Sequence, residues 1–164
     1  MAMAKNSWFG QTVVIIDDSG VVREELRQKF EACGLKVVAV AVNGLHGLEL
    51  VKQHRPDLVS IDIIMPEMDG IECYKKIRAF DPNMKCVIIS WLAGDAKIID
   101  KLSAVVPKYI LQAKPLSQSD LESRLQRIYH PESRLEEAKD SEKPLPDDID
   151  NDDIFGDLGV TTVS

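Results

Sequence analysis

Four places in the chain put a polar side chain at or close behind the end of a short apolar run. Val13-Val14-Ile15-Ile16 leads into Asp17-Asp18, the run at 58–61 into Asp62, Val87-Ile88-Ile89 into Ser90, and a run at 109–111 precedes Lys114-Pro115. If the strands are parallel, three carboxylates, a hydroxyl and an ammonium share one edge of a sheet. Carboxylates crowded within a few ångströms repel one another strongly. Three negative charges against the single ammonium of Lys114 leave −2. A divalent cation neutralises that excess, and an all-oxygen donor set favours a hard ion, Mg²⁺ or Mn²⁺. Taken singly, each of these residues has a plainer reading as a cap or turn residue closing a buried strand. Four strand ends out of five closing in this way favour a shared site.

The elements that must position these groups alternate between two periodicities. Short β-branched apolar runs at 12–16, 37–41, 58–61, 86–89 and 109–111 read as strands buried on both faces. Between them lie helical spacings. Val21, Val22, Leu26, Phe30 and Cys33 mark a first helix with Gly34 as its stop. Leu45, Leu48, Leu50 and Val51 mark a second, ended before Pro56. Ile71, Tyr74, Ile77 and Phe80 mark a third, closed by Asp81-Pro82. Ile98, Ile99, Leu102 and Val105 mark a fourth, before Pro107, and Leu121, Leu125 and Ile128 a fifth, with Ser117 as N-cap. This (βα)5 alternation predicts an α/β, doubly wound, three-layer sandwich around a five-stranded parallel sheet. In the flavodoxin-like order 2-1-3-4-5 the first and third strands are neighbours, which brings Asp17, Asp18 and Asp62 together at the carboxyl edge. Gly70 fits a turn needing positive φ before the third helix. No G-x-G-x-x-G or Walker loop follows the first strand, which excludes the common nucleotide-binding motifs.

Asp17-Asp18, Asp62 with the following Met65-Pro66-Glu67-Met68-Asp69-Gly70, Ser90, and Lys114-Pro115 together resemble the receiver domain of two-component response regulators, over residues 11–129. The layout is similar to the single-domain, CheY-like members. The resemblance implies that Asp62 is the nucleophile that accepts a phosphoryl group from a sensor histidine kinase as an acyl phosphate. It implies that Asp18 and Asp62 bind the metal directly, Asp17 mostly through water, and that the backbone carbonyl of Ile64 completes the protein ligands. Lys114 would offset charge on the phosphoryl oxygens, and Ser90 would hydrogen-bond the group once formed. The Lys114-Pro115 bond is expected cis. Partner binding would switch through the face made by the fourth helix, fifth strand and fifth helix, in chemotaxis or motility. The alternatives are a phosphorelay shuttle and a receiver-like scaffold that takes no phosphate. A phosphohydrolase of the haloacid dehalogenase type is a poorer fit, because it needs D-x-D where this chain has Asp17-Asp18-Ser19. On this reading the protein is a signalling switch rather than an enzyme.

Three positions depart from the pattern. Bulky Trp91 stands after the switch hydroxyl, where a small residue is usual. It either packs on its loop or narrows the way in. Ile64 and Leu92 offer no polar group to orient a water, so self-hydrolysis of the acyl phosphate should be slow. The slot three before the lysine holds Leu111, with Tyr109 five before, and the Ser90–Lys114 spacing is about two residues longer than usual. Either a bulge carries Tyr109 into the switch pocket, or the aromatic switch is absent.

Charge divides the 164 residues into two parts. Residues 1–130 hold 17 Lys/Arg and 16 Asp/Glu, a net of +1; residues 131–164 hold 3 and 11, a net of −8; the sum is the overall −7. We therefore expect a short extension at 1–10, a receiver at 11–130 and an acidic, disordered tail at 131–164. Such a tail opposes nucleic-acid binding, since phosphates repel it. The longest apolar runs are about six residues, against the ~20 that span a bilayer, and no signal-peptide core opens the chain, so a cytoplasmic location is expected. Cys33, Cys73 and Cys86 read as reduced, mostly buried thiols, and the three scattered histidines argue against zinc. Within 152–160, acids alternate with Ile154, Phe155 and Leu158 at helical spacing. This stretch resembles the acidic amphipathic peptide by which the CheZ phosphatase docks on CheY. It is a candidate docking peptide for the chain's own output face, against the plainer reading of a solubilising tail with stray hydrophobes. An EF-hand reading of Asp148, Asp150 and Asp152 fails at the sixth loop position, which holds Asp153 instead of Gly.

Overall fold

The computed structural model describes residues 6–134. Five strands alternate with five helices: β1 Thr12–Ile16, α1 Gly20–Ala32, β2 Lys36–Ala41, α2 Gly44–His54, β3 Leu58–Ile61, α3 Gly70–Phe80, β4 Lys85–Ser90, α4 Ala96–Leu102, β5 Leu111–Ala113 and α5 Gln118–Tyr129. All strand pairs are parallel and the order is β2-β1-β3-β4-β5. α1 and α5 pack together on one face, α2 and α3 on the other. Right-handed crossovers then place α4 beside α3. Because helices cover both faces, the central strands are buried without alternation: Val13 to Ile16 of β1 and every residue of β3, Ser60 included, are buried. Among the described residues no helix is long and apolar enough to cross a membrane.

Each helix starts on a side-chain cap within the loop that follows a strand. Ser19, Asn43, Asp69 and Asp95 accept backbone N–H groups at the starts of α1, α2, α3 and α4, and Ser117 with Asp120 forms a capping box on α5. These caps fix where each chain segment turns back from the carboxyl edge, so the loops there are short and ordered. Gly34 stops α1 in the left-handed region, at φ 93°.

The structure departs from the sequence expectation at three elements. The run at 109–111 is not a strand. Lys108–Ile110 forms a 3-10 turn, and β5 begins at Leu111, pairing Ile88↔Leu111 through Ser90↔Ala113. As an edge strand of three residues, with Gln112 at its centre, β5 has too little buried surface to show as an apolar run. The buried face of α2 is Gly44, Gly47 and Val51, while Leu45 is 49% exposed. The helix lies so close to the sheet that a Cβ on Gly47 would fall 2.3 Å from Ile16 Cδ1. The core also reaches back to Trp8, which is 2% exposed; its Nε1 donates to the Cys33 carbonyl at 3.1 Å and its ring meets that of Tyr129 at 5.8 Å. All three cysteines are buried and free, and burial pushes the Cys73 and Cys86 thiols up to about 12.

Trp8 closes the core against Cys33 and the end of α5. Trp8→Ala should therefore cost about 3–5 kcal/mol of stability, the range for truncating a buried aromatic. Urea unfolding checks this, and a loss below about 1 kcal/mol would show that residues before β1 are dispensable to the core.

Candidate functional site

Three backbone hydrogen bonds carry the sheet ladder one residue past the strands. Asp17 N donates to Ala41 O at 3.1 Å, Asp62 N to Ile16 O at 2.9 Å and Lys114 N to Ser90 O at 3.1 Å. Each is the first residue beyond its strand in β1, β3 or β5. The strands are parallel and in register, so the three side chains converge at one edge. Carboxylate oxygens of Asp17, Asp18 and Asp62 lie within 4.8 Å of one another. The Lys114 ammonium sits 2.8 Å from Asp17 Oδ2 and 3.5 Å from Asp62 Oδ2. Asp17, Asp62 and Lys114 are buried, and Asp18 is exposed at the mouth. The Lys114-Pro115 peptide bond is cis.

The other hydrogen bonds fix the carboxyls in place. Asp17 Oδ1 accepts from Ser19 N at 2.9 Å, so both of its oxygens have partners. Its backbone carbonyl accepts from Arg23 Nη1 of α1 at 2.8 Å. Asp62 Oδ1 accepts from Ile63 N at 2.8 Å. Burial pushes the Asp62 carboxyl up to about 6; the Lys114 ammonium pulls it down, Asp17 pushes it up, and the Ile63 N–H and Ser90 hydroxyl favour the charged form. The carboxylate charge is thus only partly relieved by the protein. A hard divalent cation fits this donor set, with oxygen donors only, one acid open to solvent and excess negative charge left after Lys114.

Ser90 is buried at the end of β4, and its Oγ accepts from Leu92 N at 3.3 Å. That bond caps the 3-10 turn Trp91–Gly94. Trp91 is 65% exposed and Ile64 is also exposed. Tyr109 stands elsewhere, in the 3-10 turn before β5, toward the amino edge, with the Arg134 guanidinium 3.8 Å above its ring. The β4–β5 register is regular up to Ser90↔Ala113, and no bulge carries Tyr109 towards Ser90. Ile154, Phe155 and Leu158 lie outside the described residues.

Two features were not read from the sequence. One is Arg23, whose contact is to a backbone carbonyl six residues earlier; an arginine in the first turn of the helix behind the acid pair was the available signal. The other is the role of Gly70. Its φ is not positive; the glycine is needed because a Cβ there would lie 2.0 Å from the Asp62 carbonyl oxygen. Gly70 N also donates to Ile63 O at 2.7 Å, tying α3 to the chain just after Asp62.

A doubly wound five-stranded sheet with acids after its first and third strands and a lysine after its fifth defines the class of receiver modules in two-component signalling. The family model for the response regulator receiver domain matches residues 13–126, and the chain belongs to that family. It is 34% identical over 119 residues to the chemotaxis protein CheY of Thermotoga maritima, covering 73% of this chain and 98% of that protein. It is 37% identical over 118 residues to CheY of Treponema pallidum, covering 71% and 81%. Among solved structures, a CheX–CheY–BeF3–Mg²⁺ complex from Borrelia burgdorferi matches with TM-score 0.66 and 30% identity, over 74% of this chain and 90% of that one. A Francisella response regulator receiver domain matches with TM-score 0.62 and 28% identity, over 75% and 99%.

Gly70→Ala tests the close approach. The added methyl has backbone against it, which cannot rotate away, so the start of α3 must shift. The expected loss is at least about 1–3 kcal/mol, the usual range for overpacking. A thermal melt indistinguishable from the parent protein would show that the 62–70 loop gives way freely.

Proposed function

We propose that the protein is a phosphoacceptor switch in which Asp62 takes a phosphoryl group from a histidine of a sensor kinase, and that the modified state changes which partner it binds. The carrying observation is the buried Lys114 ammonium, within 3.5 Å of Asp62 and 2.8 Å of Asp17 in a pocket of three acids. In the transfer an Asp62 oxygen forms the new P–O bond, the P–N bond to the kinase imidazole breaks, and the freed imidazole takes a proton. A bound Mg²⁺ or Mn²⁺, held by Asp18 and Asp62 with the Ile64 carbonyl and reached by Asp17 through water, would add positive charge beside the transferred oxygens. Lys114, 3.5 Å from Asp62, would offset charge on the same oxygens. Both act by positioning and electrostatics, which is what phosphoryl transfer requires.

The readout begins at Ser90. Its hydroxyl oxygen now holds the Trp91–Gly94 turn through Leu92 N. A phosphoryl group on Asp62 offers a stronger, charged acceptor for the Ser90 proton, a contact that exists in the modified state alone. It biases the β4–α4 loop between two arrangements, and the surface of α4, β5 and α5 carries the change to an output protein. Similarity to CheY proteins and to a CheY bound with magnesium and BeF3, a tetrahedral stand-in for a phosphoryl group, supports this reading and favours chemotaxis as the process. The protein acts as a switch in the cytoplasm, catalysing its own phosphorylation and slow dephosphorylation.

Incubation with Mg²⁺ and a small acyl-phosphate donor should add one hydroxylamine-labile phosphoryl group to the wild type and none to Asp62→Asn, by intact mass. Equal labelling of the Asn variant would move the nucleophile elsewhere. Apolar Ile64, which is exposed, and Leu92, which is partly buried, give an attacking water nothing to bind. The isolated phosphoprotein should accordingly last minutes, and Ile64→Asn should shorten its lifetime several-fold; a wild-type half-life of seconds contradicts this.

The pH profile follows from the carboxyl raised to about 6. Below that value Asp62 holds a proton and serves neither as ligand nor as nucleophile. Above it the carboxylate is free. At low Mg²⁺, the initial labelling rate, read from Trp91 fluorescence, should rise about tenfold from pH 5 to pH 7 and then level off. A flat profile across this range would show that Asp62 titrates as an ordinary exposed acid.

A further inference from the structure

Toward the amino edge of the sheet, away from the acidic pocket, a cavity of about 290 Å³ opens between the end of α3, the start of β4, the 3-10 turn Lys108–Ile110 and the end of α5. Arg78, Lys85 and Arg134 stand around it, polar atoms make up most of its lining, Met84, Pro107 and Ile110 give it a smaller apolar part, and no acid lines it. Among the described residues none of these three cations meets a carboxylate. Arg78 Nη1 donates to the Met84 carbonyl at 3.1 Å, the Lys85 ammonium lies 5.2 Å from the centre of the Tyr129 ring, and Arg134 stacks over Tyr109 while donating to the Arg127 and Ile128 carbonyls. The neighbouring acids are engaged locally: Asp81 Oδ1 accepts from Asn83 N at 2.9 Å, and Glu132 Oε1 meets His130 Nδ1 at 3.0 Å.

We propose that this cavity is the docking site of the chain's own acidic segment, with Asp152, Asp153 and Asp157 against the cations and Ile154, Phe155 and Leu158 at the smaller apolar part of the lining. Charge points to this occupant. Residues 135–164 hold 2 Lys/Arg and 10 Asp/Glu, a net of −8, and residues 1–134 hold 18 and 17, a net of +1; together they give −7. Proximity points the same way, because Arg134, where the segment leaves the described fold, is itself part of the cavity wall. Ile154 follows Arg134 by 20 positions, up to about 66 Å of extended chain, so the segment has ample length to turn back. A tether of this kind gives an effective concentration on the order of millimolar, enough for a weak peptide to dock. Size agrees as well. The cavity lies just below the roughly 300–1,000 Å³ of small-molecule sites, and so suits a few anchoring side chains better than a cofactor. The acidic pocket toward the other edge repels the same segment. Nothing in this proposal depends on phosphorylation of Asp62.

The test uses the full-length chain, ¹⁵N-labelled, unphosphorylated and metal-free. Phe155→Ala with Leu158→Ala alters the segment and leaves the fold untouched. Amide resonances of Asn83, Lys85, Tyr109 and Ile110 should shift, while those of Asp17, Asp62 and Ser90 hold. Lys85→Glu, on an exposed side chain, should in turn shift the amides of residues 152–158. No movement at the cavity overturns the proposal. So do shifts concentrated on α4 and the outer face of α5, which would mean a different seat, and shifts that vanish on dilution, which would mean the segment of a second copy.

Discussion

The constraint on which the structure turns is that one buried ammonium faces three carboxylates. Lys114 bonds Asp17 at 2.8 Å and approaches Asp62 at 3.5 Å, and all three side chains are buried. Desolvating ions is expensive, and a well-packed apolar cluster of the same volume is often as stable or more so. The cluster is therefore poorly explained as a device for stability. Burial pushes the Asp62 carboxyl up to about 6 despite the adjacent lysine, in keeping with charge that the protein only partly relieves. What the arrangement provides is a place where added positive charge, or a reaction that uses the carboxylate, is favoured over the resting state.

Holding that cluster in place sets demands on the fold. The acids and the lysine come from strands far apart in sequence, so position depends on sheet register, and the ladder bonds from Asp17, Asp62 and Lys114 extend that register to the site itself. Helix α2 reaches the sheet through Gly47 against Ile16, the residue before Asp17, and α3 reaches it through Gly70 against the carbonyl of Asp62. Two glycines thus let two helices clamp the backbone beneath two of the acids. A methyl at either point would push the helix off the strand end it braces, which couples core packing to the geometry of the carboxylates.

This also explains which parts were legible in the sequence. The acids were, because a buried parallel strand is a largely apolar run and the polar residues that follow it mark the carboxyl edge; Lys114 was picked out by the Lys114-Pro115 pair rather than by the run before it. That the sheet is parallel followed from the alternation of periods, while the strand order came from the flavodoxin-like class. The packing face of α2 was legible in part: Val51 is buried and Leu48 and Leu50 pack on the core as the spacing suggests, but Gly44 and Gly47 carry the closest approach and Leu45 is left to solvent. β5 was misplaced by two residues because an edge strand needs only one buried side, and Tyr109, which seemed to belong to it, packs in the preceding turn. Trp8 gave no periodic signal at all; a lone aromatic near a terminus finds its burial only through Cys33 and Tyr129, contacts remote in sequence.

The sheet has opposite electrical character toward its two edges, and distance keeps them independent. Strands of four to six residues separate the edges by about 13–20 Å at roughly 3.3 Å per residue. That exceeds the screening length of about 8–10 Å at physiological salt. The cations around the amino-edge cavity therefore do little to relieve the acids of the pocket, which rely on Lys114 and on whatever cation enters from solvent. Nor do those acids discharge the cavity. A segment carrying −8 meets repulsion toward one edge and attraction toward the other, so charge selects an edge even before any apolar side chain is seated. The same separation leaves the mouth of the acid pocket, with exposed Asp18, open to a phosphoryl donor when the cavity is occupied.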